Sequence, residues 1–341
     1  MIGAFFTPRS LLDHPLAVSM GEPAGIGMEC ALKAWSARKS LALQPFFLLA
    51  DPAHVREQAR LLNMNVPLRE ITRPQEALSL FGKALPVMPI PLHAAAKPGS
   101  PDPANAGAVI ESIRKATQLT QLGEAAALVT LPIQKSSLYH SGFRFPGHTE
   151  YLADLCNVSD TVMMLEVPGL RVTLSTVHLS LKEAVAKLST DLIVKKAMIS
   201  GRALQQAFNI PSPRVAVAGL NPHAGEEGAM GLEEIEIIIP AIEQLRAQGI
   251  NATGPHAPDT LFHAGMRQTY DCAHCHYHDQ GLIPVKTLDF YGGVNITLGL
   301  PILRTSPDHG TALNIAGQNK ANPASVIAAL KRAAQLAQNA A

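Results

Sequence analysis

The stretch PLAVSMGEPAGIGMECALKAW, residues 15–35, opens as a buried strand and closes as a helix. Its first six residues are a short apolar run of strand length, a Gly-Pro turn follows, and a helix runs from about Gly27 to Trp35. The same alternation spreads outward. Further strands fit Phe46–Ala50, Ala125–Leu131, Thr161–Val167, Leu170–Thr176, Arg214–Leu220, Asp271–Tyr277 and Gly293–Leu298. Helices begin near Pro52 and fit Gly107–Leu122, Leu181–Phe208, Leu232–Ala247 and Ala324–Gln338. Strands alternating with longer helices predict an α/β layered fold, here two interleaved α/β/α lobes. Glu233, Glu234 and Glu236 fall in the first turns of their helix, where carboxylates complement the positive dipole end.

The chain has 341 residues, 47% of them hydrophobic, and a formal charge of +1, enough for one large core or two smaller lobes. A near-neutral balance without a basic run leaves no electrostatic footprint for nucleic acid. Cys30, Cys156, Cys272 and Cys275 are too few and too unevenly spaced for a disulfide framework, which points to a reducing compartment. No apolar run approaches the roughly 18 residues of a membrane span. The first 14 residues, MIGAFFTPRSLLDH, carry no signal-peptide core and read as a leader. A soluble cytoplasmic protein, with neither membrane nor nucleic acid as partner, is the expectation.

Polar chemistry collects in four turns that follow or end apolar runs: FPGHTEY (145–151), STVHLSL (175–181), GLNPHAGEEG (219–228) and CHYHDQG (275–281). Ligands of open α/β sheets bind beyond the carboxyl ends of strands, so these turns are candidate site segments. His178, His223 and His278 each follow a strand by a few residues, and neutral imidazole suits a divalent transition metal. A hydrogen-bonded loop histidine is the plainer reading of each alone. Cys272 and Cys275 suggest a zinc knuckle, but no second ligand pair exists at suitable spacing, and alternation along a strand sends the two thiols to opposite faces. His274 and His276 read as packing or supporting residues. The turn MGEPAGIGME (20–29) brings backbone N–H groups to a helix start without being GxGxxG, so the dinucleotide fingerprint is absent. Arg304 and Lys286 stand in stretches almost free of other charge, which favours a buried anion site over surface pairing.

From about Pro15 to the last helix the sequence resembles the 4-hydroxythreonine-4-phosphate dehydrogenase family of vitamin B6 (pyridoxine) synthesis. The segments that carry it are GEPAGIG (21–27), LPIQK (131–135), FPGHTEYLA (145–153), STVHLSL, GLNPHAGEEGAMGLEE (219–234), APDTLF (257–262), YHDQGLIPVKTLDF (277–290) and GVNITLGLPILRTSPDHGTALNIAG (293–317). The resemblance implies a fold similar to isocitrate and isopropylmalate dehydrogenases. Residues 15–140 with 300–341 would form a cofactor-side lobe, residues 141–299 a metal, substrate and dimer lobe, with the active site between lobes. It makes His178, His223 and His278 ligands of one divalent metal (zinc, magnesium, manganese or cobalt). It makes His148, Thr149, Lys286, Asn295 and Arg304 substrate-binding residues.

The same resemblance implies a homodimer with its active site at the subunit interface and one metal ligand crossing it. By likeness to the loop of the isocitrate-type enzymes, His309, Gly310, Thr311 and Ala312 are candidates for holding NAD or NADP. Lys135, Asp259 and Asp279 are candidate general bases; Asp279 has the alternative of orienting a histidine. The implied reaction oxidises 4-phosphooxy-L-threonine, a small phosphorylated amino acid, to a β-keto acid that decarboxylates. Competing readings are a related dehydrogenase of a phosphorylated sugar acid or an aromatic cis-diol carboxylate, a phosphate acyltransferase, and a non-catalytic metal or phosphate binder.

Overall fold

The computed structural model describes residues 14–139 and 141–340. The expected leader lies, apart from His14, outside the described residues. In chain order the strands among them are β1 (Leu16–Ser19), β2 (Phe46–Ala50), β3 (Leu68–Glu70), β4 (Leu85–Pro89), β5 (Leu128–Thr130), β6 (Val162–Val167), β7 (Leu170–Leu174), β8 (Arg214–Ala218), β9 (Asn251–His256), β10 (Cys272–Cys275), β11 (Val294–Leu298) and β12 (Arg304–Pro307). With the helices between them they make a mixed α/β fold of two compact units. One runs to Ser159 and resumes at Leu300; the other is Asp160–Gly299. The first unit thus takes in 141–159, which the sequence reading places in the second lobe.

The first unit's strands are ordered β3-β4-β2-β1-β5-β12 and all pair in parallel. Parallel strands covered on both faces read as unbroken apolar runs, and the FFLLA of β2 is wholly buried. Phe46 meets Phe81 edge to face, ring centroids 4.9 Å apart. Phe46→Ala removes that contact and leaves a cavity, so we expect a loss of about 4 kcal/mol in chemical denaturation. Beyond β2, Asp51 caps the helix Pro52–Leu61, accepting from the N–H groups of Ala53 and His54, with Pro52 in the first turn. Ser112, on the helix Ala106–Gln121, accepts from the N–H of Met20 and donates to the carbonyl of Leu49, which fixes the end of β1 against β2.

The second unit's order is β11-β6-β7-β10-β8-β9. β11/β6 and β6/β7 are antiparallel, the rest parallel. Its core joins Leu165, Val172, Leu174, Ala216, Cys275 and Leu282.

Two long helices expected from periodicity are interrupted. The segment 181–208 is two helices, Leu181–Lys187 and Thr190–Gln206. Ser180 forms a capping box with Glu183, and Ser189 accepts from the N–H of Leu192 to start the second helix. The segment 232–247 starts as a single π-helical turn, Glu234–Ile238, before the α-helix Ile239–Ala247. Pro240 has no N–H to donate, so the regular ladder cannot run through it. Glu234 falls in this first turn, as expected. It is buried and accepts from the backbone N–H of Leu220 and Asn221. No described helix is long and apolar enough to cross a membrane.

Candidate active site

Arg304 lies outside the strands expected from the sequence; the structure places it first on β12, beside Leu128 of β5. Its side chain is 3% exposed, and its Nε and Nη2 donate to the hydroxyl of Thr130 at 3.1 and 2.6 Å. Thr130 is a partner that sequence reasoning missed, although it directly precedes LPIQK. Burial pushes the guanidinium down to about 9, opposed by the carboxylate of Glu150. It therefore remains charged at neutral pH.

His148 and Thr149 begin the helix His148–Leu155, whose N-cap is Gly147. Phe143, Phe145 and Tyr151 pack against each other around this helix start, with ring centroids 5.1–5.3 Å apart. The Nε2 of His148 is shut off from solvent and has no hydrogen-bond partner among the described residues. Burial, then the positive charges of Arg304 and Lys135, hold the imidazole neutral, well below its ordinary range. A Cβ at Gly147 would lie 3.7 Å from the Lys135 amino nitrogen, so that cation sits against the helix start. Arg304 and Lys135 thus bring positive charge near the start of the helix His148–Leu155, with the Glu150 carboxylate among them.

The two glycine-rich turns of the sequence prove to be one structure. The N–H of Ile26 donates to the carbonyl of Thr311, and a Cβ on Gly25 would stand 3.0 Å from the same oxygen. A Cβ on Gly99 would lie 2.9 Å from the carbonyl of Leu313. Thr311 donates to Gln134 of LPIQK, and Ala312 takes a left-handed φ of 43°. His309 has its Nδ1 2.9 Å from the carbonyl of Gly310, and a Cβ on Gly310 would meet nothing within 4 Å. The loop 309–312 is thus braced from behind and open in front.

In the second unit His178 and His278 come together, ring centroids 5.9 Å apart, and line one cavity with Tyr277 and Asp279. The Nδ1–H of His278 donates to Asp279 at 2.7 Å, which leaves Nε2 as the nitrogen with a lone pair to offer. Both His178 and His223 take left-handed backbone, φ 51° and 52°, and the left-handed run continues from His223 through Glu227. Such conformations cost energy and persist where the surroundings impose them. Here Glu234 and Asn221 clamp the turn: the Asn221 amide donates to Glu233 and Glu234 at 2.7 and 2.9 Å. Although burial pushes Glu234 up, the bonds from Asn221 and Leu220 hold it below the usual carboxylate range. His223 itself is exposed and does not line the cavity of the other two. Among the described residues no three His, Cys, Asp or Glu side chains form a complete metal group.

The remaining candidates separate. Lys286 lies on the helix His278–Leu288, its ammonium 5.2 Å from the ring of Phe290. Asn295 projects from β11 with its Oδ1 shut off from solvent and without a partner among the described residues. Asp259 and Asp279 share a groove of about 400 Å3 with Phe262, Ile283 and Thr287. Cys272 and Cys275 are both buried free thiols; burial pushes Cys272 up to about 12 and Cys275 higher still. His274 is bonded to Thr173 and Ser175 and pushed down to about 3 by burial.

A buried arginine, a braced turn and a carboxylate-held histidine beside a second one stand on a mixed α/β fold. Residues 42–333 match the family model described as Pyridoxal phosphate biosynthetic protein PdxA, and the chain belongs to that family. The 4-hydroxythreonine-4-phosphate dehydrogenase of Zymomonas mobilis is 48% identical, over 95% of this chain and 96% of its own. A crystal structure of the enzyme of that name from Klebsiella pneumoniae is 38% identical with TM-score 0.87, over 95% of this chain and all of that one. A terephthalate 1,2-cis-dihydrodiol dehydrogenase from Burkholderia xenovorans is 28% identical with TM-score 0.65, over 94% and 98%. Enzymes of these names are oxidoreductases, and this chain is of that class.

Proposed function

We propose that the chain oxidises 4-phosphooxy-L-threonine to 2-amino-3-oxo-4-phosphooxybutanoate, with NAD(P)+ as acceptor and a divalent metal, and that the product decarboxylates to 3-amino-2-oxopropyl phosphate. The observation that carries this reading is the imidazole of His278, held through Nδ1 by Asp279 and lying 5.9 Å ring to ring from His178. A carboxylate-oriented histidine beside a second one is a donor set that fits zinc, cobalt, manganese or magnesium. His223 would complete it, in a homodimer whose subunit interface closes the ligand set. When bound, the cation supplies polarisation of the substrate hydroxyl and charge stabilisation as carbon dioxide departs. NAD(P)+ at His309–Ala312 supplies the hydride acceptor.

The chain's own residues do the positioning. Arg304 and Lys286 take the phosphate, and the unpartnered Asn295 Oδ1 accepts a donor of the substrate. Neutral His148, with Thr149, takes the polar end, because its orphaned Nε2 needs a partner. Among the candidate bases Asp279 is engaged by His278 and acts as its orienter, which leaves Lys135 and Asp259 for the proton.

The test is a turnover assay on 4-phosphooxy-L-threonine with NAD+ or NADP+, after dialysis against chelator and after adding back each metal. Reduced nicotinamide is expected only with metal restored. Turnover of an aromatic cis-diol carboxylate and none of the phosphorylated substrate would transfer the assignment to the other dehydrogenase branch. Full activity in chelator would remove the metal from the mechanism.

A further inference from the structure

Three histidine-bearing segments leave neighbouring strands in the order β7-β10-β8. The regular ladder stops at Cys275↔Leu174 on one side of β10 and at His274↔Val217 on the other. Beyond it, toward β7, the backbone still serves: the N–H of Ser175 donates to the carbonyl of Cys275. The N–H and the hydroxyl of Thr176 donate to that of His276, at 3.2 and 2.8 Å. Toward β8 the backbones no longer meet in ladder register, and two side chains replace them. The Nε2–H of His276 donates to the carbonyl of Ala218. Gln280 accepts from the N–H of His276 through Oε1 and donates from Nε2 to the carbonyl of Gly219, both at 2.7 Å.

Each of these ties falls where a histidine-bearing segment departs. Thr176 is two residues before His178, Gly219 four before His223, and Gln280 two after His278. Gln280 is the third residue of the helix His278–Leu288. A glutamine there usually reaches back to the N–H of the N-cap residue; here it reaches one residue further, to His276, and spans to β8 as well. At 7% exposed, its amide exchanges few bonds with water, so both groups are committed to these two backbone partners.

We propose that Gln280 is a positioning residue for the histidine set. By joining the end of β8 to the start of the His278 helix, it holds the backbone of the His223 turn and that of His278 in one arrangement ahead of metal binding. The proposal rests on the ligand assignment made above. Outer-shell groups that orient metal ligands typically change affinity by about 10–100-fold when lost, and Gln280 acts one step further out, on the backbone that carries them.

The experiment uses full-length, metal-free protein titrated with Co2+, followed by calorimetry and by the visible absorption of the bound ion. Gln280→Leu removes both bonds. Gln280→Glu keeps the shape and the acceptor for His276 but turns an oxygen toward the carbonyl of Gly219. Both are expected to bind Co2+ about tenfold or more weakly, with a changed visible spectrum. Ile193→Val, a core truncation on the helix Thr190–Gln206, should lower the Tm and leave affinity and spectrum as in the parent. In the metal-free state, amide exchange over residues 219–223 should quicken in Gln280→Leu. Parent-like affinity and spectrum in both Gln280 variants overturns the proposal, as does unchanged exchange. If His178→Gly and His278→Ala bind Co2+ as the parent does, the ligand assignment itself fails. Exchange at 219–223 then still reports whether the clamp exists, so the two failures are told apart.

Discussion

Arg304→Met is expected to lower kcat/KM on the phosphorylated substrate by about 3 kcal/mol, a factor of about 150, while barely touching turnover of the unphosphorylated analogue. The guanidinium is enclosed beneath β12 and β5, and the hydroxyl that orients it, Thr130, is neutral. Burial already works against its charge, so a phosphate dianion arriving there meets a cation with little competing water. Methionine preserves much of the volume and none of the donors. Lysine returns the charge without the planar fork and should recover only part of the loss. Measuring both variants on both substrates closes a double-mutant cycle, and the coupling term isolates the contact with phosphate. Equal losses on the two substrates would place Arg304 elsewhere in the reaction. Thr130→Val should reproduce a fraction of the effect, because it frees the guanidinium from its orienting oxygen.

The pattern of apolar runs made most of the strands legible, because strands covered on both faces carry little else: β1, β2, β5, β6, β7, β8, β10 and β11 all lie within runs expected from the sequence. β4 escaped because Pro86 and Pro89 mark a run as turn or edge, yet it pairs on both sides, with β2 and β3. β12 escaped because Arg-Thr-Ser-Pro has no branched aliphatic or aromatic residue, though every residue of it is buried. That one omission hid the setting of Arg304. The helix breaks at Ser189 and Pro240 were written in the sequence as a cap and a missing donor, and periodicity alone overrode them. At the site, the places where β7, β8 and β10 end and the histidine-bearing turns begin were legible. Thr130, Gln280 and Glu234 were not, because each acts on backbone or a side chain far along the chain, a relation that no local spacing encodes.

His278→Ala should abolish metal-dependent turnover, with kcat/KM down by about 4 kcal/mol or more, a thousandfold, and saturating metal should not restore it. The ring pairs with that of His178, and no other described imidazole lines their cavity. Asp279→Asn behaves differently. Asparagine can still face Nδ1, but the carboxylate that fixes the tautomer and raises the basicity of Nε2 is gone. Metal affinity should fall about 10–100-fold, and excess metal should recover most of the activity. The pair of variants therefore separates a ligand from the group that orients it. Measured metal content settles which is which without reference to turnover: below stoichiometric at any concentration for His278→Ala, concentration-dependent for Asp279→Asn. If Asp279→Asn instead loses activity at full metal occupancy, the carboxylate moves protons, and Asp279 returns to the list of bases beside Lys135 and Asp259. His223 needs a different substitution, because its left-handed φ of 52° penalises most side chains. His223→Gly relaxes that turn where alanine would not, so a loss of metal in His223→Gly reports the missing imidazole and not a distorted loop.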